Sequence, residues 1–180
     1  NNLIVELSEI NQKNLFRINN KINGKLNMSA EKVFSKYTLI NSFESQMQFV
    51  NGNILIDQML LSLGKLGAAD FTGTIKNDEK FTNLKFESNI FIDNLKHFYN
   101  KFGIYNKLQT SSNLFVSGNI DLTKFNLHIY EILNKEKISE EDLVYIEREF
   151  NNIILYDGYK SFFNFLNIKE FVKLITSENN

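Results

Sequence analysis

Neither cysteine, proline nor tryptophan occurs in this chain of 180 residues. Without cysteine there is no disulfide framework and no thiolate metal site, a condition that suits the cytosol and a cell-envelope compartment equally. The missing proline and tryptophan, beside abundant Asn, Lys, Ile and Phe, have the look of an AT-rich genome, so composition by itself carries little functional weight. No run approaches the roughly 20 apolar residues of a membrane-spanning helix, and no signal-peptide pattern opens the chain. Excess charge is lacking too. The formal net charge is −1, with basic and acidic residues interleaved, which argues against a nucleic-acid partner, for which a clustered basic excess is expected. The first residue is Asn rather than Met; we read this as a segment of a longer protein, for which a missing targeting signal carries no information.

What the chain does have is apolar material: 43% of its residues, including 17 Phe, enough for a sizeable core in one domain or in a piece of a larger repetitive one. The stretch from Phe43 to Ile92 organises it. Asn51-Gly52 is a strong hairpin signal, because a type I′ turn needs positive φ at both central residues. A two-residue loop there predicts Phe49 opposite Ile54, Met47 opposite Ile56, Ser45 opposite Gln58 and Phe43 opposite Leu60. A reversal over Gly64–Gly67 sets Leu60 opposite Phe71 and Ile56 opposite Ile75. Another over Asn77–Lys80 sets Phe86 beside Phe71, Leu84 beside Gly73 and Thr82 beside Ile75. Side chains alternate along a strand, so one face carries Phe43–Leu60–Phe71–Phe86 and Met47–Ile56–Ile75. The other carries Glu44, Met59, Thr72 and Lys85 with Gln46, Asp57, Thr74 and Asn83.

The flanks follow the same reading. Leu3–Leu7, Asn14–Ile18 and Ile22–Met28 alternate as strands, and Ser29 is placed to cap a short helix over Ala30–Tyr37. Leu95, Phe98, Tyr99 and Phe102 form a helical stripe, with Gly103 as its stop. Leu114–Ile120 and Leu127–Leu133 alternate about a turn at Thr123-Lys124, pairing Ile120 with Leu127, Gly118 with Ile129 and Leu114 with Leu133. Ser139–Asp142 reads as a capping box opening a helix with Leu143, Ile146 and Phe150. A cap at Asn167 starts another, with Ile168, Phe171, Val172 and Ile175 on one side. The fold class expected is mainly β with helices (α+β): an antiparallel meander forming a curled open sheet over residues 1–133, with short helices near 30–37 and 94–102, then a helical segment over 134–180.

Reactive groups are sparse. His97 and His128 have neither metal-ligand spacing nor a neighbouring nucleophile, so both read as surface or core-rim residues. Asp57 and Asp70 could pair for acid–base work, but a solvated sheet face accounts for them. Gly64, Gly67 and Gly73 match no phosphate-cradling loop, and Glu140–Asp142 suits a helix start electrostatically. We expect no enzyme, no cofactor and no metal. The apolar face must nevertheless be covered. Either helices seal it as an ordinary core, giving a structural or protein-interaction module, or part of it lines a groove for acyl chains.

The segments Ile22–Met28, Phe49–Ile56, Ala69–Ile75 and Leu114–Leu122 resemble, in their texture of strands, the AsmA-like family of bacterial envelope proteins. The likeness spans about Ile18 to Leu133; the helical C-terminal part has no counterpart in it. It implies a long, curled, open β-sheet whose apolar concave face conducts phospholipids between membranes and serves outer-membrane biogenesis, with no catalytic residues. It also implies a periplasmic part of a protein anchored in the inner membrane, the membrane being reached through the parent chain. On that likeness the acyl-chain (lipid-binding) residues are Phe43, Met47, Phe49, Ile54, Ile56, Leu60, Phe71, Ile75, Leu84 and Phe86.

Overall fold

Asn51 and Gly52 adopt φ values of 51° and 80°, the left-handed pair that a type I′ hairpin demands. In the computed structural model, which describes residues 16–33, 40–78, 80–105, 110–134, 136–156 and 164–177, this turn joins strands β2 (Ser42–Val50) and β3 (Asn53–Ser62). β1 (Gly24–Ala30) precedes them. β4 (Gly67–Asn77), β5 (Thr82–Ile92), β6 (Ser112–Asp121), β7 (Asn126–Asn134) and the two-residue β8 (Glu136–Lys137) follow. All eight form one antiparallel sheet in sequence order, open rather than closed. Helix α1 (Leu95–Lys101) interrupts the meander, and α2 (Glu140–Ile153) and α3 (Phe165–Ser177) complete the chain. The chain is therefore mainly β with helices, and β6 and β7 continue the sheet of the central meander through the pairing of β5 with β6.

Near the hairpin the register is the expected one, with Phe49 opposite Ile54 and Met47 opposite Ile56. One residue later it changes. A β-bulge at Asp57 inserts an extra residue into β3, so Ser45 faces Met59 rather than Gln58, and Phe43 faces Leu61 rather than Leu60. A bulge adds one residue to one strand and so exchanges the two faces beyond it. Leu60 consequently points to the polar side, and Met59 joins the apolar side. The next pairings differ as well: Ile54 faces Ile75, Ile56 faces Gly73, and Met59 faces Phe71. Between β4 and β5 the reversal is wider than expected, closed by Asp78 N donating to the Phe81 carbonyl at 2.8 Å. Ile75 thus meets Leu84, Gly73 meets Phe86 and Asn77 meets Thr82.

A second bulge, at Tyr130, has the same effect in β7. Ile120–Leu127 and Gly118–Ile129 pair as expected, but Leu133 faces Phe115 instead of Leu114. The resulting apolar face carries the cross-sheet row Met47–Ile56–Gly73–Phe86–Gly118–Ile129. Phe86 lies between two glycines. A Cβ on Gly73 would sit 2.8 Å from the Lys85 carbonyl oxygen, and one on Gly118 2.5 Å from that of His128. Neither position has room for a side chain.

The helices obey local signals. Asn94 Oδ1 accepts from His97 N at 3.1 Å at the start of α1, and Gly103, at φ 68°, follows its end. Ser139 Oγ accepts from Asp142 N at 3.2 Å, the N-cap half of the expected box, while the Asp142 carboxylate accepts from the Ser139 hydroxyl at 2.7 Å rather than from its backbone N–H. α3 starts earlier than expected. Asn164 Oδ1 accepts from Leu166 N at 3.0 Å, while Asn167 donates from Nδ2 to the Ile153 carbonyl at the end of α2. Ser29 and Ala30 belong to β1 instead of a helix start, and Ile22 precedes β1. The rest of the helix expected over Ala30–Tyr37 beyond Val33, the strand Leu3–Leu7, the first two residues of the strand Asn14–Ile18, and the side chain of Ile175 lie outside the described residues; Phe16–Ile18 is turn and coil.

The core has two centres. Leu127, Ile129 and Ile132 of the sheet are buried with Leu143, Ile154 and Leu155, and Phe150, Ile168 and Phe171 pack on them. Ile54, Ile56, Ile75 and Leu122 are buried in the second, against Met47, Phe49, Phe71, Leu84, Phe16 and Ile18. Phe102 is 1% exposed and joins α1 to α3 by stacking on Phe165 at 5.5 Å.

Candidate apolar groove

Seven of the ten residues expected to line a lipid track, Met47, Phe49, Ile54, Ile56, Phe71, Ile75 and Leu84, come together in the second core cluster. Phe86 packs with the helix-covered cluster, and its ring stacks on Phe71 at 5.6 Å with planes 13° apart. The two residues meet diagonally, because Phe71 itself faces Ser88. Phe43 is half-buried on the same face, opposite Leu61 and Ala30. Leu60 is the exception. It is 38% exposed on the polar face, opposite Glu44 and Asp70, at the edge of a shallow depression of about 550 Å³ that Phe91 also lines.

Cover over the apolar face is uneven. At the β7 end, α2 and α3 bury it. At the hairpin end it is packed by Phe16 and Ile18. That segment is held by Asn77, whose Nδ2 donates to the Phe16 carbonyl at 2.9 Å and to the Gly52 carbonyl at 2.6 Å. At the β1 margin Leu26 and Met28, 37% and 39% exposed, continue the rows of Met47 and Ser45. Leu26, Met28, Met59 and Ser45 escaped the expected set. For Met59 the polar pair Asp57-Gln58, which breaks the alternation, was the available signal.

Asp57 and Asp70, on the other face, are engaged structurally. Asp57 Oδ2 accepts from Gln48 Nε2 at 2.8 Å, and Asp70 Oδ1 accepts from Asn89 N and Nδ2 at 3.0 and 2.9 Å. His97 is exposed. Exposed His128 contacts Glu147 through Nδ1 at 2.9 Å. Burial raises the Tyr99 phenol above its ordinary value of 10.0, which keeps it neutral. Among the described residues no cluster of three or more His, Asp or Glu could hold a metal ion, and no helix is long and apolar enough to cross a membrane. No known family, curated protein or solved structure matches this chain.

Proposed function

We propose that this chain is a non-enzymatic lipid-handling module whose apolar sheet face receives the acyl chains of phospholipids. The observation that carries the reading is the uneven cover: a continuous apolar face, sealed by α2 and α3 at one end and exposed at Leu26 and Met28 at the other. Each Phe, Ile or Leu kept from water contributes about 1.5–3 kcal/mol, so an aliphatic chain lying along Phe43, Met47 and Phe71 gains what water cannot offer. The mechanism is passive. Tails move along a dry surface while headgroups stay near water, and direction comes from elsewhere. The strand texture that resembles AsmA-like proteins supports the same reading. With it go a periplasmic setting, an inner-membrane-anchored parent chain and a part in outer-membrane biogenesis. Gentle purification followed by native mass spectrometry and lipid extraction is the test. Phospholipid retained at a defined ratio is the expected result; a well-folded, lipid-free protein that binds no hydrophobic probe overturns the proposal.

A second reading, a structural or protein-interaction module with a sealed core, is favoured by the burial under α2 and α3. The two part at Phe71→Asp. A sealed core unfolds, whereas a groove keeps the fold and loses lipid uptake.

A further inference from the structure

Resting on the lipid reading, we propose that Ser45 is the polar anchor of the groove, donating its hydroxyl to the ester carbonyl at the head of a bound acyl chain. Ser45 is 2% exposed, and its Oγ has no hydrogen-bond partner. Most buried polar side-chain atoms in proteins are paired, so an unpaired one calls for a reason.

Its surroundings supply one. Ser45 lies on the apolar face, opposite Met28 on β1 and opposite Met59 on β3, with Met47 next along β2 on the same side. These are the three methionines of the chain. Methionine is unbranched and adaptable, and its thioether is only a weak acceptor. The side chains can part for a ligand, and they leave the hydroxyl unsatisfied when none is there. Met28, at the exposed margin, marks the way in.

The same surroundings select the ligand. A serine hydroxyl that meets an incoming group in an apolar layer serves best as a donor to a neutral acceptor. Among the described residues, the sheet neighbours of Ser45 on this face, Met28, Met47, Met59 and Phe43, carry no charge, so beside them a free carboxylate or phosphate would be buried without a counter-ion, which is costly. An ester carbonyl is neutral and directly attached to the aliphatic chain. The tail can therefore lie along Met47 and Phe71 while the carbonyl reaches Ser45.

The experiment compares an ester-linked diacyl phosphatidylcholine with the ether-linked lipid of the same chains and headgroup, using the unmodified chain and Ser45→Ala. The wild type is expected to bind the ester about tenfold more tightly, the effect of one ordinary hydrogen bond. Ser45→Ala is expected to bind both at the ether level and, free of lipid, to melt at a higher temperature, since it loses an unpaired hydroxyl. Equal binding of both lipids by the wild type overturns the anchor and leaves the lipid reading standing. Failure to bind either lipid overturns both. An ester preference that survives in Ser45→Ala, or a lower melting temperature for that variant, overturns the anchor alone.

Discussion

The side-chain amide of Asn151 holds Leu127 as a neighbouring strand would: Oδ1 accepts from Leu127 N at 2.7 Å and Nδ2 donates to the Leu127 carbonyl at 2.9 Å. One turn earlier on α2, Glu147 Oε2 accepts from Ile129 N at 2.9 Å. Farther along, Ile138 N donates to the Ile132 carbonyl at 3.1 Å, and β8 pairs with Leu133 and Asn134. Unpaired backbone on an outer strand is a template for unwanted pairing. α2 therefore does more than cover the apolar face; its polar side chains also occupy the outward backbone groups of β7.

Asn151→Ala should cost about 1–3 kcal/mol, because it strands the amide and carbonyl of buried Leu127. It should also promote edge-to-edge association. Urea unfolding reports the first effect and light scattering at rising concentration the second.

The glycines beside Phe86 provide a matched comparison. Gly118→Ala places a methyl against the His128 carbonyl and should destabilise by about 1–3 kcal/mol, the usual effect of overpacking. Gly73→Ala should behave similarly. At Gly24 an added Cβ meets nothing within 4 Å, so Gly24→Ala should change stability by no more than about 1 kcal/mol, toward greater stability. Denaturation midpoints of the three variants settle the ranking.

Leu60 and Ile56 test the bulge. Ile56→Ala removes a buried side chain and should cost about 2–5 kcal/mol. Leu60→Ala, on the polar face, should cost less than about 1 kcal/mol. Comparable losses at the two positions would contradict the face exchange at Asp57.

Phe102 carries the link between α1 and α3. Phe102→Ala should cost about 3–5 kcal/mol. Hydrogen exchange should show α1 amides losing protection while those of β3 and β4 keep theirs.

Much of this fold is written locally. Asn51-Gly52 dictates its turn through backbone sterics, Leu95–Phe102 its helix through spacing, and Ser139–Asp142 its cap through side-chain reach. Each needs only a few neighbouring residues. The bulges are harder to read, because strict alternation predicts strands without interruption. Their trace is present even so: Ile56 and Met59, like Ile129 and Ile132, are three apart with polar or amphipathic residues between. The hairpin identifies the apolar side correctly, so most residues of that face follow from sequence; Leu60, beyond the bulge, does not. The solitude of the Ser45 hydroxyl is invisible there, since it depends on what three other strand positions bring near it. How far α2 and α3 reach across the sheet is equally hidden, because helical spacing defines a stripe but not the surface that it meets.

The bulge at Asp57 makes chain length a carrier of information. Losing the codon of Asp57 would restore an unbroken alternation in which Met59 and Leu61 keep the apolar side and Leu60 the polar side, whereas losing two codons there would turn the remainder of β3 inside out, with no substitution at any of them. Natural variants of this sequence should therefore accept the loss of one residue between Ile56 and Met59 far better than the loss of two, while Asp57 and Gln58, which face solvent, invite exchange.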